Sequence, residues 1–218
     1  WADIDPEYEA EYHRWYDEEH IAHLLSVPGF LSAGRYVAVK GGPKNLALYE
    51  LETADVLRSA AFLDGVRFKP SSRRVAASGG TIGRNYLING YRQIFPVHTD
   101  PIEMTQGPAP FLQMGRIDIP SVVEDEFNDW YDSEHLPALR AVGGVLAARR
   151  FVVTNADERL TKYLATYHLG DAAAYRSPAW QQATKTAWSK EIGPAMRRLE
   201  LTLFARPALA DAERDWGR

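Results

Sequence analysis

The chain has 218 residues, 45% of them apolar, a formal net charge of −4 and no cysteine. That length suits one large domain or two of about 100 residues each. The mild acidity and scattered Lys and Arg give no basic footprint for nucleic acid. The lack of cysteine excludes disulfides, zinc–thiolate sites and iron–sulfur clusters, and no apolar run reaches the length of about 18 residues that a membrane span needs. No signal peptide is visible, and a cytoplasmic protein is expected. With 11 Tyr and 6 Trp, a large aromatic core or a pocket for flat apolar ligands is expected.

Taken in order, Trp1–Ile4 matches Arg116–Ile119, the end of an apolar run that reads as a strand. The sequence is therefore expected to begin at the tail of a first strand that is mostly missing. Asp5-Pro6 opens a helix as cap and first helical residue, and Glu7, Glu9 and Glu11 suit its positive end. Tyr8, Tyr12, Trp15, Tyr16 and Leu24 recur at spacings of three and four along it, and Pro28-Gly29 ends it. Phe30–Val39 and Leu46–Leu51 read as a hairpin around Gly41–Asn45, and Thr53 as the cap of a shorter helix. From Asp64 to Arg84 the pattern becomes Gly, Ser and Arg, a surface loop or a lid carrying Arg73, Arg74 or Arg84. Tyr86–Phe95 is expected to close the first unit, and the four prolines of Pro96–Pro110 mark a linker. The order then repeats: strand Phe111–Asp118, helix Ser121–Arg140 with Ser121 as cap and Glu124 three residues on, hairpin strands Val145–Thr154 and Tyr163–Leu169, a second helix capped by Asp171 with a break at Ser177-Pro178, and strand Arg198–Ala205.

The repeat itself is explicit. Trp15–Tyr36 matches Trp130–Phe151 at an offset of 115 without a gap, and 11 of those 22 positions are identical, so the architecture is read as duplicated. Each unit is β-α-β-β-α-β, the ferredoxin-like arrangement with both helices on one sheet face. The bare faces need cover, and two such sheets packed face to face would supply it. The expected fold class is α+β: two tandem ferredoxin-like units, 1–95 and 111–218, joined by the linker 96–110.

The repeated stretch is Trp15-Tyr16-Asp17-Glu18-Glu19-His20 and Trp130-Tyr131-Asp132-Ser133-Glu134-His135. On a helix, Tyr12, Tyr16, His20 and Leu24 form one row, matched by Phe127, Tyr131, His135 and Leu139. Each histidine stands on the apolar row, either as a core residue or as a partly buried neutral imidazole able to move a proton near pH 7. A tyrosine one turn away can hold a developing enolate or phenolate. His20, His135, Tyr16 and Tyr131 are the candidate catalytic residues. Asp17 and Asp132 either orient the rings or lie on a solvated face. Arg35 and Arg150, on the following strand, either hold a substrate carboxylate or carbonyl or pair with Asp17 or Glu19 and their counterparts. Tyr12, Phe127, Trp15 and Trp130 complete the expected substrate lining. Asp17-x-x-His20 has carboxylate–histidine spacing but lacks the four-helix frame such a metal site uses, and His23 has Ala138 as its counterpart. Neither a phosphate loop nor a G-x-S-x-G elbow is present. No metal or cofactor is expected.

W-Y-x-x-E-H followed by Val27-Pro28-Gly29, or by Val142-Gly143-Gly144, resembles the dimeric α/β-barrel superfamily and within it the EthD-like proteins. The resemblance implies a ferredoxin-like barrel, in most members a homodimer and here fused in tandem, with the helix histidines pointing into a cleft. It also implies small cofactor-free enzymes of aromatic catabolism and polyketide tailoring, with some relatives binding heme. Three readings follow. The first is a cofactor-independent lyase or isomerase acting on a small aromatic or carbonyl compound. The second is a heme-dependent or oxygen-using oxidoreductase with His20, His98, His135 or His168 as ligand. The third is a non-catalytic binding protein for an apolar metabolite. A homodimer is a further possibility through exposed sheet edges.

Overall fold

The structure, a computed structural model, describes residues 1–65, 83–84, 87–97, 108–155 and 159–210. Arg73, Arg74, the Arg84 side chain, His98, most of the expected linker, the Ala156-Asp157 turn and the tail beyond 210 lie outside the described residues. The chain divides into two compact units. One comprises Trp1–Val37, Gly42–Ile88 and Asp100–Pro108, and the other Ala38–Gly41, Asn89–Thr99 and Ala109–Arg218.

In the first unit, strand β1 (Asp3–Ile4) leads into helix α1 (Pro6–Trp15). Pro6 occupies its first turn and Asp5 is extended before it, although the Asp5 side chain makes no capping bond. Helix α1 continues through one π-helical turn, Tyr16–His20, into α2 (Ile21–Leu25). Strands β2 (Phe30–Lys40) and β3 (Asn45–Leu51) form the expected hairpin. Thr53 makes no side-chain cap bond, because a 3₁₀ turn at Ala54–Arg58 intervenes. Ser59 caps α3 (Ala60–Gly65) instead, its Oγ accepting from the Phe62 N–H at 3.2 Å. Strand β4 (Gly83–Arg84) pairs antiparallel with β1, and Ala2 bridges to Asn45 of β3. The strand order is β4-β1-β3-β2, which is the ferredoxin-like order.

In the second unit, β5 (Tyr91–Phe95), β6 (Phe111–Asp118), β7 (Val145–Val153), β8 (Tyr163–Leu169) and β9 (Arg197–Ala205) lie in the order β9-β6-β8-β7-β5, all antiparallel. Four of these strands again give the ferredoxin-like order. Helix α4 (Glu124–Trp130), a π-helical turn Tyr131–His135 and α5 (Leu136–Arg140) connect β6 to β7. Between β8 and β9 run α6 (Ala173–Arg176), α7 (Pro178–Ala183) and α8 (Ala187–Ile192), with α9 (Pro207–Ala210) after β9. Asp171 Oδ1 accepts from Ala173 N–H at 2.7 Å, and Ser177 breaks the helix and caps α7.

Two further expectations are corrected. The stretch Tyr86–Phe95 is not one strand. Leu87 exchanges backbone hydrogen bonds with Trp1 in the first unit, whereas Tyr91–Phe95 lines the edge of the second, with Tyr91 opposite Val153. Gly90 makes this possible. Its carbonyl accepts from both the N–H and the hydroxyl of Thr154 at 2.9 Å, and a Cβ there would lie 2.6 Å from Thr154 Oγ1. Nor does Ser121 form a capping box. A 3₁₀ turn occupies Ser121–Val123, and Glu124 is drawn away to the sheet, where it accepts from the Tyr163 hydroxyl at 2.5 Å and pairs with Lys162.

Each motif helix ends in a Gly with positive φ, Gly29 at 91° and Gly144 at 90°. L side chains pay a steric penalty there, and a Cβ on Gly29 would lie 2.4 Å from Val56 Cγ2, against 3.0 Å from Ala174 Cβ for Gly144. Gly29→Ala and Gly144→Ala are therefore each expected to lower stability by about 1–3 kcal/mol, Gly29→Ala the more. Urea denaturation checks this, and equal stability of either variant and wild type would contradict it.

Candidate active site

The repeated motif builds the same aromatic nest in each unit. The Ile21 N–H reaches back five residues to the Tyr16 carbonyl, and the Leu136 N–H to that of Tyr131. The wider turn accommodates one extra residue. It brings residues five apart into register, so Trp15 stacks on His20 at 4.3 Å between ring centroids and Trp130 lies tilted over His135 at 4.4 Å. A regular helix would have left the tyrosine as the main neighbour. Tyr16 and Tyr131 instead meet the histidine rings edge-on, both at 4.8 Å. Tyr12 packs on Tyr16 at 4.7 Å and Phe127 on Tyr131 at 5.3 Å.

Arg35 and Arg150 are buried beneath these helices and held from them. Arg35 pairs with Asp17 at 2.8 Å, donates to the His13 carbonyl at 2.8 Å, meets His13 Nδ1, and lies 5.2 Å from the Tyr16 ring centre. Arg150 pairs with Asp132, donates to Asn128 Oδ1 at 2.7 Å and lies 4.3 Å over the Tyr131 ring. Asp17 and Asp132 thus serve the arginines. His13 and Asn128 hold equivalent places, four residues before the aspartates, a pairing that the offset of 115 already contains. Both guanidiniums are anchored internally, as clasps between helix and strand.

The strand registers add a residue pair. Ala33 faces Tyr49 and Ala148 faces Tyr167, so Tyr49 and Tyr167 are equivalent. In the second unit the Tyr131 and Tyr167 hydroxyls lie 3.3 Å apart, and Tyr167 packs edge-on against Trp180 at 5.2 Å. Burial pushes the Tyr131 hydroxyl up and the Tyr167 hydroxyl well up from their usual range, so both stay neutral donors. The sequence signal for this pair is the shared Tyr-x-Leu of Tyr49–Leu51 and Tyr167–Leu169, displaced by three residues from the main offset.

Burial lowers both motif histidines to about 4, with His23 adding for His20 and the Arg150 charge for His135. His168, on the opposite face of the second sheet, is lowered to about 3 by burial and by Arg149. All three are neutral at pH 7. Among the described residues no group of three or more His, Asp or Glu is placed to hold a metal. A heme ligand histidine ordinarily donates its second N–H to a carboxylate, carbonyl or water. Among the described residues no protein group partners His135 Nδ1, which is buried, and His168 Nε2 faces the Arg149 guanidinium at 3.4 Å. No described helix is long and apolar enough to cross a membrane.

No family model matches the sequence, and no curated protein matches it. Solved structures do. A "putative monooxygenase" from Fusobacterium nucleatum superposes with a TM-score of 0.61 at 10% identity, over 94% of this chain and 88% of that one. A "putative monooxygenase" from Lactobacillus acidophilus gives 0.57 at 11%, over 94% and 90%. A "putative chlorite dismutase" gives 0.57 at 12%, over 98% and 91%. The shared fold is mixed α+β and ferredoxin-like. The narrower likeness to EthD-like proteins rests on the motif residues alone.

Two expectations follow. Arg150 is 1% exposed as a side chain, while Asp132 is 36% exposed. Removing the acid strands a buried cation, whereas removing the base leaves a carboxylate that water can reach. Asp132→Ala is thus expected to cost about 3 kcal/mol and Arg150→Met about 1 kcal/mol, as read by urea denaturation, and the reverse order would contradict the clasp. The histidines also make stability pH-dependent. In the unfolded chain they gain protons as pH falls through about 6.5, but the folded chain resists until about 4 for His20 and His135 and about 3 for His168. Stability is full above about 6.5 and lost progressively below it. His168→Gln is expected to flatten that loss by up to about 1.4 kcal/mol per pH unit, and an unchanged slope would contradict the burial argument.

Proposed function

We propose that the chain is an enzyme acting without a bound cofactor on a small aromatic or carbonyl compound, with His135 as its proton-transfer group. One observation carries this reading. His135 is only partly exposed, its Nδ1 is buried with no partner among the described residues, and so is the Nε1 of Trp130, whose ring lies over it. Leaving a buried polar atom unpaired costs about 1–3 kcal/mol, and a ligand bound beside these two rings would complete both. A neutral imidazole accepts a proton from a substrate O–H or from a C–H beside a carbonyl. Burial disfavours the imidazolium, but a substrate oxyanion formed beside it offsets that cost. The neutral Tyr131 and Tyr167 hydroxyls and Trp130 N–H are the available donors to such an oxyanion.

Proton removal is the first step of an isomerase or lyase, and equally of an oxygenase whose substrate anion then meets oxygen. The names of the structural neighbours favour the oxygen-using branch at the level of fold. Turnover of a panel of phenols, aromatic ketones and lactones, with and without oxygen, distinguishes the two. An oxygen electrode reads consumption, and an absorbance spectrum of the purified protein reports any bound heme or flavin.

The activity so found is expected to fall by about 100-fold or more in His135→Ala and by no more than about threefold in His20→Ala. Full activity in both single variants and in the double variant would sink the proposal.

A further inference from the structure

The layer between the sheet and helices of the second unit contains a third unsatisfied atom. Gln113, on β6, is 4% exposed, and its Oε1 has no hydrogen-bond partner among the described residues. It stands opposite Tyr167 in the β6–β8 register, and residues paired across antiparallel strands share a face. Tyr167 touches Tyr131 and Trp180, so this is the helix-covered face. Hydroxyl and ring contacts run from Tyr167 through Tyr131 to both Trp130 and His135. The unsatisfied groups are complementary in kind. Gln113 Oε1 only accepts, Trp130 Nε1 only donates, and a neutral imidazole nitrogen does either according to tautomer.

A single lone oxygen on a ligand would satisfy the tryptophan but leave the amide carbonyl bare. We propose that Gln113 and Trp130 are the specificity pair of the His135 site. Gln113 accepts a hydrogen bond from a ligand hydroxyl, and Trp130 donates one to a ligand carbonyl. The preferred ligand is then a small planar compound bearing both groups, oriented by them so that its acidic proton faces His135. This rests on the reading of His135 as the site of chemistry, and it adds Gln113, a residue with no chemistry evident in the repeat. It also explains why an amide is retained in a position where leucine would pack without an unpaired polar atom.

Calorimetric binding tests this directly, with 4-hydroxyacetophenone, acetophenone and phenol as probes. One well-made hydrogen bond corresponds to roughly tenfold in affinity, so wild type is expected to hold 4-hydroxyacetophenone about tenfold more tightly than acetophenone. Gln113→Leu is expected to abolish that ratio while leaving acetophenone affinity unchanged. It should unfold at the same temperature as wild type or a higher one, because it removes an unpaired buried amide. Trp130→Phe is expected to weaken both ketones by the same factor. If Gln113→Leu fails to fold, Gln113→Met reads the same ratio. Equal affinity of the two ketones in wild type, a ratio unchanged in the Gln113 variant, or no measurable binding of any probe would overturn the pair. A run of His135→Ala through the same titrations separates the two ideas. If turnover survives that substitution while the Gln113-dependent ratio persists, the catalytic reading fails and the specificity pair stands as a binding site.

Discussion

A guanidinium buried under a helix sets the geometry of each motif. Arg150 arises from strand β7, is almost wholly enclosed, and is gripped from above by Asp132 and Asn128 while its plane lies near the Tyr131 ring. Asn128 and Asp132 are four residues apart, so they present to one point below the helix. The grip therefore fixes the rotation of the helix about its axis as well as its height over the sheet. A burial of charge that would be costly alone is tolerated because an ion pair, an amide oxygen and an aromatic face share it. Arg35 does the same in the first unit with Asp17, His13 and Tyr16. Once the helix is fixed in this way, the directions of Tyr131 and His135 are fixed with it.

The π-helical turn acts on that fixed frame. Inserting a residue between Tyr131 and Leu136 costs a regular backbone hydrogen bond pattern, and in return it slides Trp130 over the His135 ring. Burial, to which the indole over one ring face contributes, and then the Arg150 charge keep the imidazole neutral well below its usual pKa. Burial alone would make a core histidine. What distinguishes this one is that the stacking partner and the ring both keep an unmet hydrogen-bonding atom.

Much of the fold was legible because it depends on local pattern. Phe111–Asp118 and Tyr163–Leu169 are strands at the expected limits, since short apolar runs between turn residues leave little choice of register. The duplicated helix, its arginine and its terminal glycine were visible from the offset alone. What was hidden depends on contacts distant in sequence. Glu124 reads as a capping residue until Tyr163 and Lys162 are brought beside it. The π turn cannot be read from periodicity, because one extra residue in a single turn changes the apolar spacing too little. Tyr167 went unnoticed because the second hairpin turn is three residues longer than the first, which moves the matching tyrosines off the main offset. Gln113 carries no motif at all, and its significance lies entirely in what fails to touch it.

The two copies keep the clasp and change what surrounds it. Where β3 has Leu48 and Glu50, β8 has Thr166 and His168, and where β2 has Gly34, β7 has Arg149. Asn45 is replaced by Tyr163, whose hydroxyl binds Glu124. Glu134, next to the candidate histidine, accepts from Thr186 at 2.5 Å, and Thr186 in turn caps α8. Glu19 occupies the matching place in the first motif, yet α3 there is capped by Ser59 with no hydrogen bond to the motif acid. The second motif is thus tied to its sheet by Arg150, Tyr163 and the Tyr131–Tyr167 hydroxyl contact, and to its following helices through Glu134. The proton-transfer role proposed for His135 would need its partners held to within a fraction of an ångström, and these ties act in that direction. The first motif has the same aromatic nest and is bound through Arg35 and, further back along its helix, through the Lys44–Glu9 pair. On the proposed reading of His135, this unequal anchoring is what separates the second motif from the first.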